Sequence, residues 1–429
     1  MKKSISCANN ARRRAGGHSE QTSDQHHTPT ADSRASALKR NHYTIIEVLM
    51  FPTHSMFIVL VSTLFLLPVI AIANSNPLPH YLKNVVVVGG THGNEYTGVW
   101  CIKALDRASE NINKRYPSLK ISTLLGNPEA HLANKRFINE DLNRQFSREA
   151  LTTEIDLSDD DLPQETIRAR EIDQLLGPKF ATKGNEDTAA HVVIDLHSTT
   201  SNMGLTIIVA EGDPVMTRAA AYVRQKCREA GEEVHCLVHT HPSREVRPNL
   251  SSAGRHGFTI EVGPVPQGVL RHDAVEKTEM ALYALLEYLH LYNSDAEQLK
   301  ATLNKMYKPH SFKVPCFKSA AALRKGEMSG KISWPSMSHN PNFPAHMVHK
   351  NVQDADFKLI KTGDPLFVDL EGNVMPYDGS YGSPVYLMFV NEAGYYYESS
   401  GTGVSVAIKT EYDLETGNLD FAKTNNEEL

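Results

Sequence analysis

The fold is most constrained by residues 85–95, which read VVVVGGTHGNE. Four consecutive valines predict a strand buried on both faces, as in a parallel sheet covered by helices, and the glycine pair predicts a sharp turn. His92 and Glu95 follow, three residues apart, at the predicted start of a helix, so their side chains should project from one side of its first turn. Imidazole nitrogen and carboxylate oxygen are zinc ligands at about 2.0–2.2 Å. This segment therefore predicts a central strand and part of a metal site.

Composition limits the class of protein. With 429 residues and 41% hydrophobic content, the chain can bury a large core and divide into two domains. A net charge of -6 and a pI near 6.4 argue against a nucleic-acid partner and favour a small molecule. The five cysteines show no CxxC spacing, so they predict neither a thiolate zinc site nor a disulfide framework.

The N-terminal region has two parts. Residues 1–55 are polar and are predicted to be disordered, because they cannot bury enough apolar surface to offset the entropy of ordering. Residues 56–73 (MFIVLVSTLFLLPVIAIA) predict a signal peptide or membrane anchor. The lysines and arginines before this segment predict an enzyme that is secreted, or held by a single membrane span with its folded part outside or in a lumen. The alternative is a cytoplasmic enzyme whose upstream segment is not translated.

Strands alternate with helices through residues 84–292, which predicts a mainly parallel sheet with helices on both faces. The expected strands lie at 85–88, 119–125, 191–196, 205–210 and 258–262, and the expected helices at 95–109, 164–176, 214–230 and 272–292. Residues 293–429 contain short β-like segments, such as 365–370 and 385–390, between Gly- and Pro-containing turns. They predict a smaller β-rich C-terminal domain.

A third metal ligand is predicted at His197, which follows the apolar residues 192–194 and Leu196. Because open α/β sheets bind ligands at the carboxyl ends of their strands, His197 should reach the same rim as His92 and Glu95. Three protein ligands with an open fourth position are typical of catalytic zinc. Asp195 could orient one of the imidazoles.

Two further features offer catalytic groups. Glu261 ends an apolar strand, where burial would raise its pKa and suit it to act as a general base; a structural, salt-bridged glutamate is an equal alternative. Arg136, Asn143 and Arg144 lie in a loop and could bind a carboxylate or an oxyanion. Charged loop residues are more often simply solvated.

Four motifs together resemble the aspartoacylase and aminoacylase-3 family: GGTHGNE at 89–95, DLNR at 141–144, DLHSTTSNMG at 195–204 and EVGP at 261–264. The resemblance implies a zinc-carboxypeptidase-like mixed α/β sheet with helices on both faces, and a β-rich C-terminal domain over the active-site entrance. It implies hydrolysis of N-acyl-L-amino acids with one Zn²⁺ per subunit, and a homo-oligomer.

The resemblance also implies residue roles. His92, Glu95 and His197 would bind zinc, and Glu261 would transfer protons. Arg136 would polarise the acyl carbonyl, and Asn143 and Arg144 would bind the α-carboxylate. Tyr395 would contact the substrate, and Glu392 would have a structural or entrance role.

The substrate is less constrained. N-acetyl-aspartate is the first choice, but Ser251 and Ser399 stand where aspartoacylase has cations for the second carboxylate. Arg247 or Arg255 could substitute, or the enzyme could prefer N-acyl aromatic or neutral amino acids. A metallocarboxypeptidase and a catalytically silent binding protein are further alternatives. Residues 249–251 form a glycosylation sequon beside this loop.

Overall fold

A computed structural model describes residues 81–155, 162–181, 189–240, 243–324, 329–335 and 344–420. The predicted disordered segment 1–55 and the predicted signal or anchor segment 56–73 lie outside these ranges. Within them, no helix is both long enough and apolar enough to cross a bilayer.

The structure alternates helices and strands along the chain. The helices are α1 (Tyr96–Arg107), α2 (Ser109–Arg115), α3 (Pro128–Leu132), α4 (Arg148–Thr152), α5 (Gln164–Leu176), α6 (Pro214–Glu229), α7 (His272–Ser294) and α8 (Ala296–Tyr307). The strands are β1 (Asn84–Gly89), β2 (Lys120–Leu125), β3 (Val192–Ser198), β4 (Gly204–Ala210), β5 (Val234–His239), β6 (His256–Gly263), β7 (Lys313–Ser319), β8 (Lys331–Ile332), β9 (His346–Val348), β10 (Leu359–Ile360), β11 (Pro365–Asp369), β12 (Val374–Pro376), β13 (Val385–Met388) and β14 (Val404–Asp413).

The main sheet has the order β10-β13-β14-β7-β5-β4-β6-β3-β1-β2, with β8 paired to β14. Strand β1 runs parallel to β2 and β3, and β3 runs parallel to β6. Strand β4 is antiparallel to β6 and parallel to β5. A second, small sheet has the order β12-β11-β9. The predicted mixed α/β sheet is therefore present.

Strand β1 shows why the sheet needs a layer of helices on each face. Val85 and Val87 belong to a core that also contains buried residues of α1, α6 and α7. Val86 and Val88 belong to a separate core with Ile172 of α5. Successive strand residues point to opposite faces, so an all-valine strand can be buried only between two layers.

The C-terminal strands extend the same sheet. Strand β7 joins it beside β5 through the pair Leu237↔Phe317, and β14 then pairs with β7 in antiparallel register. This continuity carries C-terminal residues to the edge of the catalytic strands. The sequence alone predicted only short strands in the C-terminal region, and did not predict that they would continue the catalytic sheet.

The C-terminal region does not begin with β structure. Helix α8 covers Ala296–Tyr307 and buries Leu299, Leu303 and Tyr307, and the first strand starts only at Lys313. The expectation of mostly β structure from residue 293 was therefore wrong for this stretch. The helical signal was present, because these three apolar residues are spaced four apart and the Asp295 side chain accepts a hydrogen bond from the Gln298 amide.

Glycines allow α1 to begin directly against the strand ends. A Cβ atom on Gly98 would lie 2.6 Å from the carbonyl oxygen of Leu196 in β3, and one on Gly89 would lie 2.3 Å from the carbonyl oxygen of Gly98. Gly90 has a φ of 71°, a left-handed conformation that glycine adopts at little cost. The turn between β1 and α1 is consequently tight, and it ends at Glu95, the N-cap residue of α1.

Candidate active site

The three predicted metal ligands converge beyond the carboxyl ends of β1 and β3. His92, Glu95 and His197 are all buried, and each contributes one ligand atom to a group in which these atoms lie within 4.8 Å of one another. The Nδ1 atom of His92 is 2.5 Å from Glu95 Oε1, and the Nδ1 atom of His197 is 3.0 Å from Glu95 Oε2. The sequence predicted His92 and Glu95 in the first turn of a helix, but they lie in the turn before α1.

A carboxylate oxygen lies close to the outer nitrogen of each imidazole. His92 Nε2 lies 3.1 Å from Asp141 Oδ1, and His197 Nε2 lies 2.9 Å from Asp195 Oδ2. The other oxygen of Asp195 accepts a hydrogen bond from Thr91 Oγ1 at 2.6 Å. Contacts of this kind fix the orientation of histidine ligands in metal sites. Asp195 lies where the sequence suggested; the contact made by Asp141 was missed, although its DLNR motif had drawn attention.

The electrostatics of these groups suit a divalent cation. Burial alone would raise the pKa of Glu95, but attraction to His92 and His197 outweighs it and holds the pKa well below its ordinary value. Burial would lower the pKa of His197, whereas Asp195 and Glu95 raise it well above the ordinary value. A metal ion would compete with a proton for the imidazole nitrogen. The two nitrogens and one carboxylate therefore fit the donor set of a catalytic metal site.

Glu261 lies beside His197. The parallel pairing of β3 with β6 places these two residues opposite each other, so their side chains emerge on the same face. The Glu261 side chain is buried, and burial raises its pKa well above the usual range; repulsion from Glu95 and Glu392 adds to this, while His197 opposes it. A carboxylate whose pKa is raised above the ordinary value is a stronger base, which suits a proton shuttle beside a metal site.

Arg136, Asn143 and Arg144 occupy one loop. Arg136 lies with Nη1 3.3 Å from Glu95 Oε1 and with Nη2 3.4 Å from Asp141 Oδ2. Asn143 accepts a hydrogen bond from the Leu250 amide through Oδ1 at 2.8 Å. Asn143 can therefore offer the N–H groups of its side chain to a ligand. The contact between Arg136 and Glu95 holds the loop against the turn between β1 and α1, residues 90–95, which is named the metal turn here.

A cavity of ≈ 240 Å³ joins these groups. Its wall includes all eight residues named as candidates: His92, Glu95, Arg136, Asn143, Arg144, His197, Glu261 and Tyr395. A larger, more open depression of ≈ 720 Å³ is lined by other residues, among them Thr200 and Tyr397, and contains none of the eight. The smaller cavity is therefore the candidate active site.

Glu392 connects the loop after β3 to the C-terminal part of the cavity wall. One oxygen, Oε2, accepts hydrogen bonds from the Thr199 hydroxyl and from the Thr200 amide at 3.0 Å, and Oε1 accepts one from the Gly394 amide at 3.0 Å. The carboxylate thus ties the loop after β3 to the C-terminal motif that carries Tyr395. The Tyr395 hydroxyl lies 2.5 Å from Ser405 Oγ.

Lys331 is a cavity residue that sequence reasoning missed. It belongs to the two-residue strand β8, too short to give a recognisable pattern, and it lines the cavity together with Arg144. Burial lowers the pKa of Lys331, and Arg144 lowers it further, while Asp141 opposes the shift. Neither Arg247 nor Arg255, the cations suggested as substitutes for the missing pair, lines this cavity.

The sequon residue Asn249 also lies in the cavity wall. Its Nδ2 atom donates a hydrogen bond to Ser251 Oγ at 2.5 Å. A glycan attached to this nitrogen would replace that hydrogen-bond donor at the wall of the cavity.

Comparison with known proteins agrees with this geometry. Residues 81–289 match the family model of the succinylglutamate desuccinylase/aspartoacylase catalytic domain, and residues 327–405 match the AstE/AspA barrel-sandwich hybrid domain. A probable aspartoacylase of Nostoc sp. is 38% identical over 318 residues, which cover 73% of this chain and 93% of that protein. The chain belongs to the succinylglutamate desuccinylase/aspartoacylase family.

Other members of this family are also similar. An N-acyl-aromatic-L-amino acid amidohydrolase of Danio rerio is 32% identical and covers 80% of this chain and 94% of its own length. The crystal structure of murine aminoacylase 3 superposes with a TM-score of 0.63 at 27% identity, covering 78% of this chain and 97% of that one. The predicted family, fold class and enzyme class, an amidohydrolase, are confirmed.

Proposed function

We propose that this protein is a zinc-dependent hydrolase that removes the acyl group from N-acyl-L-amino acids. The observation that carries the proposal is the convergence of a His-Glu-His cluster, a buried carboxyl group and three cations on one cavity. Relatives named aspartoacylase and N-acyl-aromatic-L-amino acid amidohydrolase support the same reaction type.

His92, Glu95 and His197 would hold one zinc ion. When bound there, zinc would supply a Lewis acid that makes water acidic enough to act as a nucleophile near pH 7. Asp141 and Asp195 would keep the two imidazoles turned towards it through their outer nitrogens.

The remaining chemistry would fall to side chains of the cavity. Glu261 would accept a proton from the attacking water and later deliver one to the leaving amine, a cycle that suits a carboxyl group with a raised pKa. Arg136 would donate hydrogen bonds to the oxygen of the acyl carbonyl as negative charge develops there. One such donor is worth about 3 kcal/mol in other enzymes.

Substrate binding would use opposite sides of the cavity. Asn143 and Arg144 would bind the α-carboxylate, and Tyr395 would contact the substrate from the C-terminal part of the chain. The apolar wall, formed by Ile208, Leu237, Met388 and Phe389, would suit a small acyl group such as acetyl. The limited volume of the cavity disfavours peptide substrates, and hence the metallocarboxypeptidase alternative.

N-acetyl-aspartate, hydrolysed to acetate and aspartate, is the first choice of substrate. Ser251 and Ser399 remove two cations, but Lys331 places another beside Arg144, so a second carboxylate would have a charged partner. The second candidate is an N-acyl aromatic amino acid, which the apolar wall and the name of the Danio rerio relative support. It would leave Lys331 without an ionic partner in the cavity.

A comparison of substrates tests this proposal. The full chain should hydrolyse N-acetyl-aspartate faster than N-acetyl-tyrosine, and Lys331→Met should lower kcat/KM for the acidic substrate about 10–100-fold, the value of a hydrogen bond to a charged group. The same substitution should change hydrolysis of N-acetyl-tyrosine by less than about threefold, because the tyrosine side chain of that substrate carries no charge for Lys331 to bind. Equal effects on both substrates would contradict the assignment of Lys331, and hydrolysis of neither substrate would contradict the function.

Two further proposals concern the compartment and the assembly of the enzyme. The sequence favours secretion or membrane anchoring through residues 56–73, with the enzyme outside or in a lumen, and the family resemblance implies a homo-oligomer. The four described cysteines are free and buried, and the sequon asparagine lies in the cavity wall, which favours the cytoplasmic alternative. Fractionation of cells that express the full chain, with a glycosidase shift assay, distinguishes the two.

A further inference from the structure

We propose that Glu165, on α5, is a positioning residue for the substrate loop, defined here as residues 136–144. The proposal rests on the proposed deacylase function, because that loop carries Arg136, Asn143 and Arg144. Glu165 does not line the cavity, so it does not touch a substrate bound there.

The environment of Glu165 is unusual for a carboxylate. Its side chain is 0% exposed, and in the described part of the chain no ion pair offsets its charge. Instead, it accepts hydrogen bonds from three consecutive backbone amides: Ile138 at 2.6 Å, Asn139 at 3.0 Å and Glu140 at 3.2 Å. A fourth comes from Asn127 Nδ2 at 2.9 Å. A buried charge is tolerated only when it is satisfied in this way.

Three successive amides that point at one anion form a concave nest, a backbone conformation that an anion stabilises. Glu165 supplies that anion from within the protein. The contact is reciprocal, because Asn139 Oδ1 accepts a hydrogen bond at 3.0 Å from the Gln164 amide at the start of α5. The middle of the substrate loop is therefore held on the end of a helix.

Both ends of the loop reach the candidate active site. At one end, the Arg136 carbonyl accepts a hydrogen bond from the Gly93 amide at 3.1 Å, inside the metal turn. At the other end, Asp141 accepts one from the Asn143 amide at 2.9 Å and contacts His92. Displacing the loop at residues 138–140 would therefore move Arg136 and Asn143 together.

The Glu165→Gln substitution tests this role. It keeps the size of the side chain but replaces one acceptor oxygen with an NH2 group that must face backbone N–H donors. Because a displacement of about 1 Å can cost 10²-fold in rate, kcat/KM should fall roughly 30–300-fold, with a raised KM. Glu171→Gln on the same helix is the matched control, since that carboxylate is 58% exposed and pairs with Arg168; it should behave like the wild type.

Hydrogen–deuterium exchange gives a readout independent of activity. In the full chain, Glu165→Gln should accelerate exchange at residues 138–140 by at least tenfold, because those amides lose their acceptor, whereas Glu171→Gln should not. Zinc is supplied in excess, so that both variants are compared with the metal site filled. If Glu165→Gln does not fold, Glu165→Asp, which keeps the charge but shortens the reach, is measured in its place against the same expectations.

A double-mutant cycle separates positioning from general structural support. Because Glu165 would act through Arg136 as well as through Asn143, adding Glu165→Gln to Arg136→Ala should lower kcat/KM by clearly less than Glu165→Gln lowers it in the wild type. Any of three results would overturn the proposal. They are additive effects of the two substitutions on kcat/KM, an unchanged KM with activity lost only in proportion to unfolded protein, and unaltered hydrogen–deuterium exchange at residues 138–140. If the wild type hydrolyses no N-acyl amino acid, the proposed function fails, and exchange still decides whether Glu165 holds the loop.

Discussion

Replacing Glu261 by glutamine removes the proposed base with little change in shape. The carboxyl group lies directly beside His197 on the neighbouring strand and is only 8% exposed, so water cannot readily replace it. General-base catalysis is worth about 10²–10⁴-fold. The other carboxylates of the cavity are engaged, Glu95 with two histidines and Glu392 with Thr199 and Thr200. We therefore expect the upper part of that range, a fall in kcat of about 10³–10⁴-fold, or roughly 4–5 kcal/mol of activation free energy.

The other properties of this variant should change little. KM should stay within about threefold, since α-carboxylate binding is assigned to Asn143 and Arg144, and metal content should be unchanged. Its melting temperature should not fall, because the substitution removes a buried carboxyl group that Glu95 and Glu392 repel. Steady-state hydrolysis, elemental analysis and thermal unfolding measure these quantities, with Glu276→Gln at an exposed site of α7 as the control. A metal-loaded Glu261→Gln variant with more than a tenth of wild-type turnover would refute this role.

Three further predictions follow from contacts away from the base. Asp141→Asn should weaken metal binding about 10–100-fold in a competition assay with a chelator, because the orienting contact to His92 is lost. Gly98→Ala should lower the free energy of unfolding in urea by about 1–3 kcal/mol, because the new Cβ would lie 2.6 Å from a strand carbonyl. Burial raises the pKa of Asp356 to about 7. The folded protein therefore keeps a proton on this carboxyl group that the unfolded chain loses near pH 4. The stabilisation that comes from this proton disappears as the pH rises towards and through 7. Between pH 5 and pH 8 the wild type should therefore lose roughly 2–3 kcal/mol of stability relative to Asp356→Asn, measured by chemical unfolding at each pH.

Local patterns in the sequence predicted which residues of the β1–α1 turn and of β3 come together. The valines of β1 and the apolar residues of β3 specify buried parallel strands, and parallel strands bring their carboxyl ends to one rim. That reasoning was enough to place His92, Glu95 and His197 together. Glu261 was correctly placed at the end of an apolar strand, and the pairing of β3 with β6 explains why it meets His197.

Contacts that depend on long-range pairing were not predictable in the same way. The DLNR motif at 141–144 shows three polar or charged residues beside Leu142, but only the folded loop shows that Asp141 faces an imidazole. Lys331 reaches the cavity because β8 pairs with β14, more than 70 residues further along the chain. Glu165 appears in the sequence as an ordinary residue of an amphipathic helix. Its role becomes visible only when three loop amides converge on it.

The central claim is that a metal ion held by His92, Glu95 and His197 drives hydrolysis of N-acyl amino acids. The most direct test is to purify the full chain, measure zinc per chain, and follow hydrolysis of N-acetyl-aspartate before chelation, after chelation and after zinc is returned. We expect close to one zinc per chain, loss of nearly all activity on chelation, and recovery with zinc. Undiminished hydrolysis by the metal-free chain would contradict the claim, as would a zinc-loaded chain that hydrolyses neither N-acetyl-aspartate nor N-acetyl-tyrosine.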